Sequence, residues 1–443
     1  MDALTQVGYR THGIGKCHFT PDRYAMRGFQ SREVQEEGGV SSMDELEKAD
    51  YLRYLHEKGY SHICEAYGIR GEMYYIPQPS QVPAEDHPSQ WIGDRSVAFI
   101  QEEAKKDTPW YLFSSFVHPH PPFAPPNPWH KLYRPSMMPL PQVPEDHEAL
   151  LTYVNRMQNR YKYRDQGADN HLVRAIIAYY YACISFVDYQ IGRILDTLEA
   201  TGQMGNTMIV FTSDHGEFIG QNRCYGKRSM HDPSVRIPML LRLPGGEDGG
   251  QVCDRPVSLV DLAPTFLNTA GTQLSSHDSD GVDLRSVADG TSERSCVFSQ
   301  LSIYSDGMNR MVQGAAYDQW KQDCGLSETE RIAAFSSYMC VSREWKYFYS
   351  APDDREFLFD KVGDPGETRN HAGVQFAADA LNEHKRVLIS HLQEGGETAG
   401  LNGDDWRRFD RQQISENPDT GLLIQDGYTP WAQMDIPNYN VTG

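Results

Sequence analysis

The sequence predicts an α/β protein: a mostly parallel sheet flanked by helices, followed by a small C-terminal antiparallel sheet. Three observations point there. Short strand-like runs recur at residues 9–15, 109–117, 207–212 and 235–243, and 207–212 is apolar and β-branched, the pattern of a strand covered on both faces. Helical periodicity separates them, most clearly over 171–201. From about Ser292 the texture changes to shorter runs divided by charged turns, as in a hairpin-built sheet.

In chain order, residues 9–15 (YRTHGIG) form the first strand and run directly into Lys16-Cys17-His18. Residues 20–90 are polar and rich in Gly, Pro and Glu, so an irregular insertion is expected, with one short helix at 42–58. Trp91, Val97, Ala98 and Ile100 give 91–105 an apolar face at helical spacing. The strand at 109–117 leads to His120, whose backbone is fixed by Pro119 and Pro121. Residues 124–170 are expected to be a long surface excursion, and Gly202 stops the helix that follows.

That helix feeds the strand at 207–212, expected to be buried on both faces of a parallel sheet and ending in Ser213-Asp214-His215-Gly216-Glu217. Lys227 lies on the returning loop before the strand at 235–243. Asp261 is expected to cap a helix stopped by Gly271. Beyond it come strands at 296–301, 337–342, 345–350 and 356–359 and a helix at 376–392. The tail from Glu394, with isolated Trp406, Tyr428, Trp431 and Tyr439, is expected to drape over the surface. The organisation expected is therefore 1–291, 292–393 and 394–443.

Composition narrows the function. A formal charge of −20, from 41 Lys+Arg against 61 Asp+Glu, excludes nucleic acid or an anionic membrane as the principal partner. No apolar run reaches the roughly 18 residues of a membrane span, and the opening residues have no signal-peptide core. A soluble, cytoplasmic chain is the default expectation, and a homo-oligomer is compatible with it. The eight cysteines show neither C-x-x-C nor a zinc spacing.

Three strand ends carry ionisable groups, and in open α/β sheets ligands gather outside the carboxyl ends of strands. Together they offer Lys16, Lys227, His18, His120 and the metal-competent pair Asp214 and His215. Lysines around a cation suit a tetrahedral oxyanion: they neutralise non-bridging oxygens, the metal polarises one, and a histidine protonates the departing oxygen. Asp with neutral His suits one divalent ion such as Mn²⁺ or Ca²⁺, and two ligands leave that choice open.

SDHGEFIGQNRCYGK followed by VRIPMLLRLPGG resembles the sulfatase family, within the alkaline phosphatase superfamily. GYRTHGIGKCHF is similar to its GY-x-T-x-x-x-GK-x-H block, FSSFVHPHPPF to its substrate-binding His segment, and PVSLVDLAPTFLNTAG to the helix after the metal strand. Lys346-Tyr347, Glu356 to Asp360 and Asp364 to Glu367 resemble its C-terminal signature. The resemblance implies an alkaline phosphatase-like sheet, metal binding by Asp214 and His215, and sulfate contacts from Lys16, His18, His120 and Lys227. It further implies that His18 supports the nucleophile and that His120 or Lys227 assists the leaving group. The Asp-His pairing is more like choline-sulfatase and phosphonate monoester hydrolase members.

The family's nucleophile, formylglycine, is made from C-x-[PA]-x-R, and none of the eight cysteines heads that motif. The metal-binding aspartates that precede it in the family are absent too, and the chain starts just before the Lys-x-His block. Met1 is accordingly read as an internal methionine of a longer frame or the start of a degenerate copy. Three functions follow: a sulfuric ester hydrolase by lineage, inactive as given; a phosphonate monoester or phosphodiester hydrolase on the same fold; and a non-catalytic oxyanion-binding protein.

Overall fold

The computed structural model describes residues 1–39, 42–63, 65–70, 74–163, 169–246, 249–273 and 279–414. A short helix α1 (Asp2–Gln6) leads into β1 (Arg10–Gly15), which lies between β2 (Ser31–Val34) and β3 (Trp110–Ser115), parallel to both. β2 belongs to the stretch expected to be irregular. The single helix expected at 42–58 is two, α2 (Met43–Lys48) and α3 (Asp50–Glu57), because Ala49 is not helical (φ −96°, ψ 82°).

Helix α4 (Pro88–Glu103) starts with Pro88 at N1 and the His87 ring accepting from the Ser89 N–H. The expected excursion at 124–170 contains a further helix, α5 (Tyr153–Tyr163). α6 (Asn170–Ala200) is capped by the Asp169 carboxylate, which accepts from the His171 and Leu172 N–H groups. α4 and α6 pack together over the parallel sheet, and Ile14, Trp91, Ile92, Ile100, Val117 and Leu198 form the core beneath them. By length and composition alone α6 could cross a membrane; 39% of its apolar window is buried within the protein.

β4 (Ile209–Thr212) departs from expectation. It pairs antiparallel with β5 (Met239–Arg242) in a separate two-stranded sheet, and Phe211 and Leu240 are 38% and 66% exposed. A 3₁₀ turn (Gln221–Arg223) and the four-residue α7 (Asp232–Val235) lie between these strands, with no long helix to carry a crossover. Among the described residues, β3 pairs only with β1 and β4 only with β5.

α8 (Leu262–Thr269) and α9 (Leu284–Ala288) follow. Asp261 does not cap α8: its carboxylate is fully buried, accepts the Ser258 N–H in the preceding 3₁₀ turn and pairs with Arg294. The C-terminal sheet is antiparallel in the order β6 (Val297–Ser302), β7 (Ser336–Val341), β8 (Trp345–Ser350), β9 (Arg355–Asp360), with α10 (Asp306–Gln313), α11 (Ala315–Asp323) and α12 (Glu328–Ala334) between β6 and β7. α13 (Ala378–Glu394) packs on β7 and β8.

Alternation sorts this sheet's faces. Tyr347, Tyr349 and Leu358 meet Leu388, Ile389 and Leu392 of α13, whereas Phe348, Phe357 and Phe359 meet Leu150 and Met230 of the larger domain. Trp406 is not a surface residue. It begins no drape but closes a short hairpin of β10 (Leu401–Asn402) and β11 (Asp405–Trp406), is 2% exposed, stacks on Tyr349 at 4.5 Å and donates to the Tyr347 hydroxyl at 2.6 Å. Tyr428, Trp431 and Tyr439 lie outside the described residues.

Candidate active site

Lys16, His120, Asp214 and His215 follow strand ends, and Lys227 lies on the loop between β4 and β5. Lys16 follows β1 through Gly15, whose φ of +94° and close approach to β3 exclude a side chain: a Cβ there would lie 2.0 Å from the Ser115 carbonyl oxygen. The next two backbone N–H groups, of Cys17 and His18, donate to the Glu36 carboxylate at 2.8 and 3.2 Å. This holds His18 in a left-handed conformation (φ 54°), with its side chain exposed.

Lys16 Nζ lies 3.1 Å from Glu37 Oε1, and His120 Nδ1 lies 3.0 Å from Glu37 Oε2. Arg70 approaches the same carboxylate at 3.6 Å. His120 Nδ1 is also 2.7 Å from the Pro121 carbonyl. A carbonyl can only accept, so Nδ1 carries the proton and Nε2 keeps its lone pair. Burial holds the His120 imidazole down at about 3 against the pull of Glu37, and it is neutral at physiological pH. For Glu37 burial acts upward, but His120, Lys16 and Arg70 prevail and hold its carboxyl well below the ordinary range.

On the other side, Asp214 Oδ2 is 3.1 Å from His215 Nε2, and Lys227 Nζ is 2.7 Å from the same nitrogen. The Gly216 N–H donates to the Ser234 carbonyl at 2.7 Å and Ser234 Oγ donates to the Lys227 carbonyl, locking the two loops together. Desolvation opposes the charge on Asp214, whose side chain is 70% exposed, yet His215, Lys227 and Lys16 hold its carboxyl low. Burial and the charge of Lys16 lower the Lys227 ammonium from its usual value. His120 and Lys227 line one cleft.

The structure thus gathers Lys16, His120, Asp214, His215 and Lys227 at one rim. It does not bring in the His18 imidazole, which among the described residues makes no hydrogen bond, ion pair or ring contact with them. Glu36, Glu37, Arg70 and Tyr74 were not read from the sequence. The signal for the glutamates was the same strand-end logic: Glu36-Glu37-Gly38-Gly39 follows β2.

The fold neighbours a divalent-metal site in its donor chemistry but not in number. Asp214 and His215 are suitable donors; among the described residues no third His, Cys, Asp or Glu joins them, and Lys227 holds the His215 lone pair. Neither Cys17 nor Cys224 offers a thiolate nucleophile. Cys17 and Cys224 are pushed up to about 11 and about 12, chiefly by burial, so neither is a thiolate at neutral pH.

The sulfatase family model matches residues 1–272. The chain belongs to the sulfatase family. It is 26% identical to an arylsulfatase of Clostridium perfringens over 421 residues, spanning 90% of this chain and 79% of that one. Over 386 residues it is 26% identical to a choline-sulfatase of Rhizobium meliloti, covering 83% of this chain and 66% of the relative. The phosphonate monoester hydrolase SpPMH from Silicibacter pomeroyi shares the fold, with a TM-score of 0.70 and 23% identity over 93% of this chain and 83% of that one. The sulfatase-family resemblance and the alkaline phosphatase-like α/β fold are both borne out, and the relatives place this chain in a family of hydrolases.

Proposed function

We propose that the rim grips the sulfate group of a sulfuric ester, and that the chain is a metal-dependent sulfuric ester hydrolase by lineage whose 443 residues carry out no turnover. One observation supports this most: Lys16, His120 and Arg70 already surround a single carboxylate, Glu37, as they would an incoming oxyanion. Lys16 and Lys227 neutralise the non-bridging sulfate oxygens. Lys227, a cation whose proton is loosened by burial, is the donor to the departing oxygen. His120 cannot take that role while neutral with its one proton committed to Pro121; it packs beside Lys16, the two side chains meeting the same Glu37 carboxylate. His18 is reserved for the nucleophile that the family supplies and takes no part in holding the anion.

Asp214 and His215 would provide two positions for a divalent cation, Mn²⁺ or Ca²⁺, which when bound polarises a sulfate oxygen. Two donors do not complete such a site, and no step here runs through it. Incubation of the chain with 4-nitrophenyl sulfate and either cation is expected to release no nitrophenolate. Measurable turnover that is lost in Lys227→Met would overturn the absence of a working nucleophile.

A phosphonate monoester hydrolase is the second reading, favoured by the Asp214-His215 pairing and the fold of SpPMH. Competition between phenyl sulfate and phenyl methylphosphonate for the rim separates the two: the proposal expects the sulfate to bind more tightly.

A further inference from the structure

The cleft beside the rim is built from the two insertions whose roles the sequence left unread. Tyr74 and Tyr75 come from one, Gln158 from the other, and they meet His120, Lys227 and Arg228. Gln158 is fully buried, and its amide is oriented by the backbone: Oε1 accepts from the Lys227 N–H at 3.1 Å and the Arg228 N–H at 3.3 Å. Those donors fix which amide atom faces which way, so Nε2 is the remaining group. Nε2 has no hydrogen-bond partner among the described residues. Gly226 permits the contact, since a Cβ there would fall 2.3 Å from the Gln158 amide carbon.

Arg228 repeats the observation independently. Its NH1 is buried and also lacks a partner among the described residues. A buried donor left unsatisfied is costly, more so when it is charged. Two of them in one cleft are complementary to an oxygen acceptor; the Glu217 carboxylate that also lines it accepts from the Tyr75 hydroxyl at 3.1 Å and from the Gly226 N–H. The tyrosine rings add an apolar wall: Tyr74 stands edge-on to His120 at 6.3 Å and Tyr75 packs against Phe123 and Tyr225.

The geometry points to Gln158 and Arg228 as specificity-determining residues that accept a leaving group bearing an oxygen acceptor, carboxylate or hydroxyl, close to the ester oxygen. The inference rests on the sulfate-gripping reading above. It disfavours a leaving group whose substituent is a quaternary ammonium.

The test is equilibrium binding to the intact chain of four sulfate esters: phenyl, 2-carboxyphenyl, 2-hydroxyphenyl and choline sulfate. The two acceptor-bearing esters are expected to bind at least about tenfold more tightly than phenyl sulfate, and choline sulfate no more tightly, in keeping with charge-assisted hydrogen bonds. Gln158→Glu keeps an oxygen on the Lys227 and Arg228 N–H groups while replacing the cleft-facing donor with an acceptor. It should bring the 2-carboxyphenyl to phenyl ratio to within twofold of one, as should Arg228→Met, with circular dichroism confirming that both variants fold. A wild-type ratio near one, or choline sulfate as the tightest ligand, overturns the inference while phenyl sulfate binding leaves the sulfate reading standing. Failure of every ester to bind the folded chain overturns both.

Discussion

Lys346→Met tests how the C-terminal sheet holds the active-site loop. The Lys346 side chain is fully buried; its ammonium donates to the Met230 carbonyl at 2.9 Å and to Asp232 Oδ1 at 2.6 Å, and pairs with Glu367. Glu367, 1% exposed, also accepts the Asp232 N–H at 2.7 Å. Lys361 completes the group, pairing with both carboxylates. Met230 and Asp232 lie between Lys227 and Ser234, whose carbonyl accepts the Gly216 N–H, so this cluster fastens half of the rim to β8.

Methionine keeps the packing of the stem and removes the charge, leaving two carboxylates to one lysine. Breaking a buried pair by deleting one partner costs about 3–5 kcal/mol. With Lys361 still present, the lower part of that range is expected. Urea unfolding should show the midpoint falling at unchanged slope. Adding Glu367→Gln removes the stranded negative charge and should recover at least half of the loss, because the remaining Asp232 and Lys361 still pair. A single-variant loss below about 1 kcal/mol would refute the clamp, since surface pairs cost that much.

Two further outcomes follow. His87, His118 and His231 are buried and His120 is partly exposed, and desolvation holds each below the ordinary imidazole range, His118 to about 4 and His120 and His231 to about 3. Their folded values lie below the unfolded one of about 6.5, so their contribution is present above that pH and is lost as pH falls, by up to about 1.4 kcal/mol per pH unit for each. Denaturation at pH 7, 6 and 5 should show stability dropping before the carboxylates titrate; a flat profile to pH 5 contradicts this. Trp406→Ala should cost about 3–5 kcal/mol in the same assay, as for a buried tryptophan; a loss under about 1 kcal/mol would show that the hairpin is peripheral.

Much of the site was legible because strand signals are local and the ionisable residues follow them directly. Lys16, His120 and Asp214-His215 needed only that a buried run be seen to stop. β2 escaped because Ser31–Val34 is four residues long and half charged, too short and too polar to read as a strand. Glu37 was lost with it. The direction in which β4 pairs was not legible, since a strand's own residues do not specify its partner. Trp406 looked isolated because its partners Tyr338, Tyr347 and Tyr349 lie at least 57 positions upstream, and contacts so far apart leave no periodicity.

The central claim is that Lys16, after β1, and Lys227, on the loop between β4 and β5, hold one tetrahedral oxyanion between them. Isothermal titration of phenyl sulfate into the wild-type chain, Lys16→Met and Lys227→Met measures it directly. Saturable one-to-one binding weakened at least about tenfold in each variant, as for loss of a charge-assisted hydrogen bond, is the predicted result. Equal affinity in all three folded proteins would contradict it.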